Sequence, residues 1–462
     1  MRYEQYLDVI DQKRRVFCNI SDTLWENPEI PFHEYEAAKL ITGVLEKEGF
    51  TVVRGVAGMP TAFTATYGSG SPKLGILAEY DALSGMSQVG CITEKKSIPG
   101  LDAGHGCGHN LFAGGSVAAA FAVKAYIEAT GKGSVTLFGC PAEEGGGGKV
   151  FMAREGIFDG IDAIVSWHPE AMNMVRTRPA LAMIQADYTF EGIAAHAGAA
   201  PHLGRSALDA VELMNVGCNF LREHMELTSR VHYAILDAGG TAPNQVQSHA
   251  VVRYLIRAVE SASVRALYER VDRIAQGAAL MTDTTVTFRI TSAYSSLITI
   301  PTLQATANEA LHDIPVPEAT DEELRFATEL QKTFPLTKEQ AALPPYANTV
   351  KEPAPPVAHG GSTDTADVSW VTPTVQLHIG SSVVGTPGHS WQNVANNCST
   401  FAKKSMLFAG KVVAGTLMRL FDDPSLVKKA KAEHAEKTGG SYICPIPADL
   451  LPDTPENLGK HN

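Results

Sequence analysis

The 462-residue sequence has no apolar run long enough to cross a bilayer, no paired-cysteine motif and no excess of positive charge. The longest weakly polar stretch, Gly114 to Tyr126, is broken by Lys124 and falls short of the ~20 residues that a spanning helix needs. The first residues, MRYEQYLDVIDQKRR, are charged and lack an apolar signal core. No membrane association is expected. The seven cysteines (Cys18, Cys91, Cys107, Cys140, Cys218, Cys398 and Cys444) are few, odd in number and without a CxxC pair, so disulfides are not expected and a cytoplasmic setting is. A net charge of −12 argues against nucleic-acid and anionic-membrane partners, because both require a basic surface. An anionic substrate would need positive charge gathered locally.

Several chemical signatures are also missing. Gly145 to Lys149 resembles a phosphate loop, but position 143 is Glu and position 150 is Val, so the pattern fails at both ends. Gly104-His105-Gly106 lacks the third glycine of a dinucleotide fingerprint. There is no GxSxG elbow, and His33-Glu34 has no histidine three residues on, which removes the serine-hydrolase and HExxH readings.

What is present points to a large α/β enzyme. Hydrophobic residues make up 44% and charged residues 19%, and the length exceeds the ~250–300 residues at which a single core stops growing. Residues 4–18 and 34–49 have helical spacing. Four apolar runs, Lys73–Leu77, Ser134–Cys140, Ala163–Trp167 and Thr374–Ile379, read as buried strands. Helix-like stretches at 112–129 and 148–155 lie between them, which predicts a mostly parallel sheet with helices on both faces. Near Met183 the pattern changes to a compact α+β unit, with strands at 184–191, 230–238, 250–258 and 285–292 and helices at 207–223 and 264–277. The expected organisation is a catalytic domain in two parts, 1–183 and 301–462, with an inserted domain at 184–300. Pro335–Pro356 and the tail from Gly439 read as irregular.

Residues able to do chemistry fall just past the predicted strands. Gly104-His105-Gly106-Cys107-Gly108-His109-Asn110 opens a helix, Pro141-Ala142-Glu143-Glu144 follows one strand, Trp167-His168-Pro169 ends another, and Gly385-Thr386-Pro387-Gly388-His389 follows the last. Ligands in open α/β sheets bind outside the carboxyl ends of the strands. Cys107, His109, Glu144, His168 and His389 can therefore share one crevice. Five such donors exceed what one tetrahedral ion takes, so two ions with a bridging ligand fit better. The remaining acid, Glu143, is free to move a proton. Taken singly, each residue has a plainer reading: a hydrogen-bonded core histidine, a small apolar cysteine, a solvated acid pair. The glycine-rich backbone around every candidate, together with its strand-end position, favours the shared site.

These stretches resemble the dinuclear metallopeptidase family that includes aminoacylase, hippurate hydrolase, indole-acetyl-amino-acid hydrolases and succinyl-diaminopimelate desuccinylase, in its CGH branch. The resemblance rests on Trp25-Glu26-Asn27-Pro28-Glu29-Ile30, Gly106-Cys107-Gly108-His109-Asn110, Pro141-Ala142-Glu143-Glu144-Gly145, His196-Ala197-Gly198-Ala199-Ala200-Pro201-His202 and Gly385-Thr386-Pro387-Gly388-His389. The resemblance implies that Cys107, His109, Glu144, His168 and His389 hold two divalent ions, Mn2+ or Zn2+, with Glu143 as general base. It further implies that the inserted domain is a lid and dimerisation domain. His196 and Asn244 would then serve the partner's site, and Arg257 would grip a substrate carboxylate. The plainer readings are a surface-turn residue for His196 and an ordinary strand-face charge for Arg257. The stretches Ser362 to Trp370 and His389 to Gln392 resemble members acting on p-aminobenzoyl-glutamate, which makes Ser362 and Thr363 candidate substrate contacts. The expected activity is hydrolysis of an N-acyl or N-aroyl amino acid by a homodimer or a pair of related subunits. Dipeptide cleavage or deamination at the same site, and a non-catalytic binding protein, are the alternatives. Asn110 stands where CGHD relatives carry aspartate, which would lower ligand basicity if that aspartate orients a ligand.

Overall fold

The computed structural model describes residues 2–353 and 361–457. Its strands, in chain order, are β1 (Thr51–Arg54), β2 (Phe63–Gly68), β3 (Lys73–Glu79), β4 (Ser134–Cys140), β5 (Ala163–Glu170), β6 (Met174–Val175), β7 (Ala182–Glu191), β8 (Ala195–His196), β9 (Arg230–Asp237), β10 (Gln245–Val246), β11 (His249–Ala258), β12 (Thr285–Tyr294) and β13 (Thr374–Gly380). The larger sheet has seven strands in the order β1-β2-β4-β3-β5-β13-β6. Its centre, β4-β3-β5-β13, is parallel, and these are the four strands expected from the apolar runs. Antiparallel strands β1 and β2 extend one edge and β6 closes the other. These three were not expected: β1 is short and mostly exposed, so it lacks the apolar signature of a buried strand.

The expected helix at 4–18 is two helices, Glu4–Gln12 and Arg14–Glu26, divided at Lys13. The central helix, His109–Thr130, is apolar around most of its circumference because it is buried between the sheet and the terminal helices. Contrary to the expectation that no apolar run is long enough to span a membrane, this helix is so by length and composition, yet 89% of its most apolar stretch is packed inside the protein. Small residues allow this packing. A Cβ on Gly410, in the helix Thr400–Asp422, would lie 2.9 Å from both the Ala118 Cβ and the Gly115 carbonyl oxygen.

A second sheet, in the order β12-β7-β11-β9, is antiparallel throughout. The helices Ala207–Leu221 and Ser261–Thr282 pack on one of its faces. Along β11 the even-numbered residues Val252, Tyr254 and Ile256 are buried under those helices, and the alternate residues Arg253, Leu255 and Arg257 face the other way. Strands β8 and β10 pair as a separate two-stranded ribbon. After Pro301 the chain returns to helices and to β13 in the larger sheet. The stretch expected to be irregular at 335–356 contains one short helix, Lys338–Ala341, and its last residues lie outside those described.

Candidate metal centre and active site

The parallel strands all end at one rim, and the polar side chains gather there. His109 opens the central helix behind Gly108, whose φ of +84° favours glycine; a Cβ would also meet Pro169 at 3.0 Å. Glu143 and Glu144 follow β4, His168 lies near the end of β5, and His389 follows β13 with a φ of +50°, an uncommon conformation for this residue.

Two groups of donors share a residue. Cys107, His109 and His168 offer ligand atoms within 4.8 Å of one another, as do Cys107, Glu144 and His389. The Cys107 Sγ lies 3.5 Å from His168 Nε2, and His389 Nε2 lies 3.4 Å from Glu144 Oε1. All five expected ligands therefore converge, with Cys107 common to both groups. Glu143 joins Glu79 and His109 in a third group.

The donor atoms fit cations. His109 Nδ1 lies 2.8 Å from Asp81 Oδ1, a contact that fixes the proton on Nδ1 and leaves the Nε2 lone pair available. That Nε2 faces Glu79 Oε2 at 3.2 Å, and both atoms are buried without a hydrogen bond, as is Glu144 Oε1. Buried acceptors aimed at one another are costly unless a positive charge lies between them. Burial pushes the Glu144 carboxyl up to about 8 and the Cys107 thiol well above its usual range. The same burial lowers His168 to about 4, so it is a neutral imidazole suited to ligation.

Three acids outside the expected site hold it in place. Asp81 backs His109 with one oxygen and accepts the Glu144 backbone N–H with the other, at 2.8 Å. Glu34 is fully buried and accepts the backbone N–H groups of Phe32 and Ala142, fixing the loop just before Glu143. Glu79 takes the Lys149 ammonium at 2.7 Å, and Lys149 also reaches Asp364 at 2.6 Å. The apolar run that marks β3 stops at Leu77, but the strand itself continues to Glu79. That extension puts Glu79 and Asp81 at the same strand-end position that marked the other candidates. Asn110 touches no expected ligand: it donates to the Ser21 hydroxyl and the Asn397 carbonyl. Support of the ligand histidine comes from Asp81.

The site opens into a cavity of 760 Å³ bounded by the rim of the larger sheet and the exposed face of β7 and β11. Arg257, Ser362 and Thr363 line it, as expected. His196 and Asn244 do not: they sit together on the β8–β10 ribbon, exposed, with the Ala197 N–H donating to the Asn244 carbonyl.

A parallel α/β sheet whose strand ends hold two overlapping sets of Cys, His and carboxylate donors, with a spare glutamate beside them, defines a divalent-metal-dependent hydrolase. Residues 76–366 match the model of Peptidase family M20/M25/M40, and the chain belongs to that family. It is 45% identical to one subunit of the p-aminobenzoyl-glutamate hydrolase of Escherichia coli K12, over 96% of this chain and 97% of that protein. Among solved structures, a dinuclear metal-binding peptidase of the M20 family from Bacillus subtilis has the same fold, with a TM-score of 0.60 at 19% identity over 88% of this chain and 98% of that one. An aminobenzoyl-glutamate utilization protein from Klebsiella pneumoniae aligns with a TM-score of 0.56 at 18% identity, over 88% and 98% of the two chains. The chain is a metal-dependent amide hydrolase.

Proposed function

We propose that the enzyme hydrolyses the amide bond of N-acyl or N-aroyl amino acids, with p-aminobenzoyl-glutamate as its foremost substrate. The observation that carries this reading is the convergence of five metal donors, four of which line, together with Glu143, a cavity that also presents Arg257. The 45% identity to the Escherichia coli p-aminobenzoyl-glutamate hydrolase chain supports the choice of substrate.

Cys107, His109, Glu144, His168 and His389 would hold two divalent ions, zinc by their thiolate and imidazole character or manganese by their carboxylate. When bound, such ions polarise the scissile carbonyl and ease deprotonation of the attacking water. Glu143 accepts a proton from that water as its oxygen bonds to the carbonyl carbon. The same carboxyl then delivers the proton to the amide nitrogen as the C–N bond breaks, and the remaining hydroxyl proton passes to the amine, so that a carboxylate and an ammonium group are released. Burial raises the pKa of Glu143, which suits a group that must both take and return a proton. Arg257 holds the α-carboxylate of the amino acid, and Ser362 and Thr363 contact the substrate.

His196 is suited to stabilising the oxyanion. Its Nδ1 accepts the N–H groups of Gly198 and Ala199 at 3.2 and 3.1 Å, so the proton rests on Nε2, facing outward. With Asn244 it would act in the cavity of a partner. That partner would dock through the inserted domain, where Val216, Phe220, Leu280 and Met281 expose apolar side chains. A second copy or a related chain would serve. Replacing Glu143 with Gln should lower kcat by about 10²–10⁴ while two ions per chain remain, as measured by release of p-aminobenzoate and by elemental analysis. Unchanged turnover would exclude Glu143 as the base.

A further inference from the structure

We propose that Arg176 and Arg178 form a second anion subsite, opposite Arg257, that reads the side-chain carboxylate of the substrate's amino acid and makes the enzyme selective for acidic conjugates. The inference rests on the hydrolase reading above. Both arginines line the same cavity as Glu143, Glu144 and His389. Arg176 directly follows β6, where its backbone is clamped from two sides: its N–H donates to the Gln376 carbonyl at 2.9 Å and its own carbonyl accepts from Gln304 at 3.0 Å. Among the described residues, its guanidinium donates only to neutral oxygens, the Gln376 side chain at 2.6 Å and the Arg178 carbonyl at 3.3 Å.

The contrast with other arginines is informative. Arg54, Arg154, Arg205, Arg253 and Arg419 each pair with a carboxylate. Among the described residues, surface arginines such as Arg222, Arg289 and Arg325 also lack a carboxylate within 4.0 Å, but Arg176, Arg178 and Arg257 do so while lining the cavity, and Arg257 Nε is buried without a partner. Glu170 lines the same cavity and its charge acts on Arg176 through space, but it forms no ion pair with that guanidinium within 4.0 Å, its contact at 4.0 Å being with His168. Desolvating the Arg176 and Arg257 guanidinium groups without a counter-ion is costly, and exposed Arg178 adds to the same positive field, so this charge kept open toward a cavity marks a place for an anion. Gln376 is informative because an acid there would neutralise Arg176, whereas an amide orients the guanidinium and preserves its charge. One positive group from the second sheet and two from the larger sheet match a ligand with two carboxylates on one amino acid, each able to take a planar guanidinium.

The test uses the metal-loaded enzyme with p-aminobenzoyl-glutamate and p-aminobenzoyl-glutamine, which share the scissile bond and the α-carboxylate. The wild type should prefer the glutamate conjugate in kcat/KM by at least about tenfold, because a site built for one polar group discriminates against an analogue lacking it. Arg178→Gln, at an exposed position, and Gln376→Glu, which supplies an internal counter-ion to Arg176, should each collapse that ratio toward unity, mainly through KM for the glutamate conjugate. A wild type indifferent between the two conjugates, or variants that lower both rates and keep the ratio, would overturn the subsite and leave the hydrolase reading intact. Failure of the wild type to cleave either conjugate would overturn both.

Discussion

Asp81 shows how one side chain governs a cluster of ligands. Burial alone would raise its pKa, but the His109 ring and the Glu144 backbone N–H outweigh that and hold the carboxyl below its usual range. An ionised Asp81 keeps His109 in the tautomer that ligates and fixes the backbone of Glu144 at the same time. Asp81→Asn should weaken metal affinity by about 10–100-fold, read by competition with a chelating dye, and activity should return as metal is added in excess. Retention of wild-type affinity would remove Asp81 from this role. The convergence of the candidate ligands was readable because each is a donor type at or just past the end of an apolar run, four of the five in glycine-rich chain. Asp81 and Glu34 were harder to see, since an isolated acid in a sequence gives no sign that it will be buried against backbone N–H groups contributed from far along the chain.

At the level of elements, Asp422 joins three helices. One oxygen accepts from Tyr126 at 2.6 Å and Lys132 at 2.7 Å, and the other from Tyr3 at 2.8 Å, linking the ends of the first, central and C-terminal core helices. Burial raises the Asp422 pKa, but these donors outweigh it and the net effect is well below the ordinary carboxylate range. A carboxyl whose folded pKa is depressed contributes stability above its unfolded pKa of about 3.9, and that contribution fades as pH falls through this value toward the folded one. Asp422→Asn should therefore cost about 1–2 kcal/mol at pH 7 in urea unfolding, and the difference should narrow below about pH 4. A pH-independent difference would mean that packing, not charge, is what the substitution disturbs. The four parallel strands were evident from the sequence because both of their faces are covered and they read as continuous apolar runs. The edge strands β1 and β6 were not, because they are short and bury too little surface to leave that pattern, and neither was β2, which lies next to β1 and alternates buried with half-buried residues.

Over the whole molecule, the cavity is lined by every expected substrate and metal contact except His109, which is fully buried, and His196 and Asn244, which lie on the exposed ribbon. Their assignment to a neighbouring protomer has a consequence for mixtures. His196→Ala and Glu143→Gln variants should each be nearly inactive alone, yet mixing them under conditions of protomer exchange should restore about a quarter of wild-type activity. That fraction follows if half the dimers are mixed and one of the two sites in each is intact. A mixture no more active than its parts would place His196 outside the neighbour's site. The strands and helices around the second sheet were readable from the change of pattern near Met183. The exposure of His196 on a short ribbon was not, since two paired residues leave no periodic mark in the sequence.

Everything about the chemistry depends on five side chains from separate parts of the chain enclosing a pair of cations with Cys107 between them. Anomalous diffraction from crystals grown with zinc, collected on both sides of the metal edge, tests this most directly. The expected result is two peaks per chain, about 3.5–4 Å apart, with Cys107 Sγ bonded at about 2.3 Å and His109, His168, Glu144 and His389 completing the ligand sets. A single peak, or peaks from which Cys107 and His389 turn away, would contradict it.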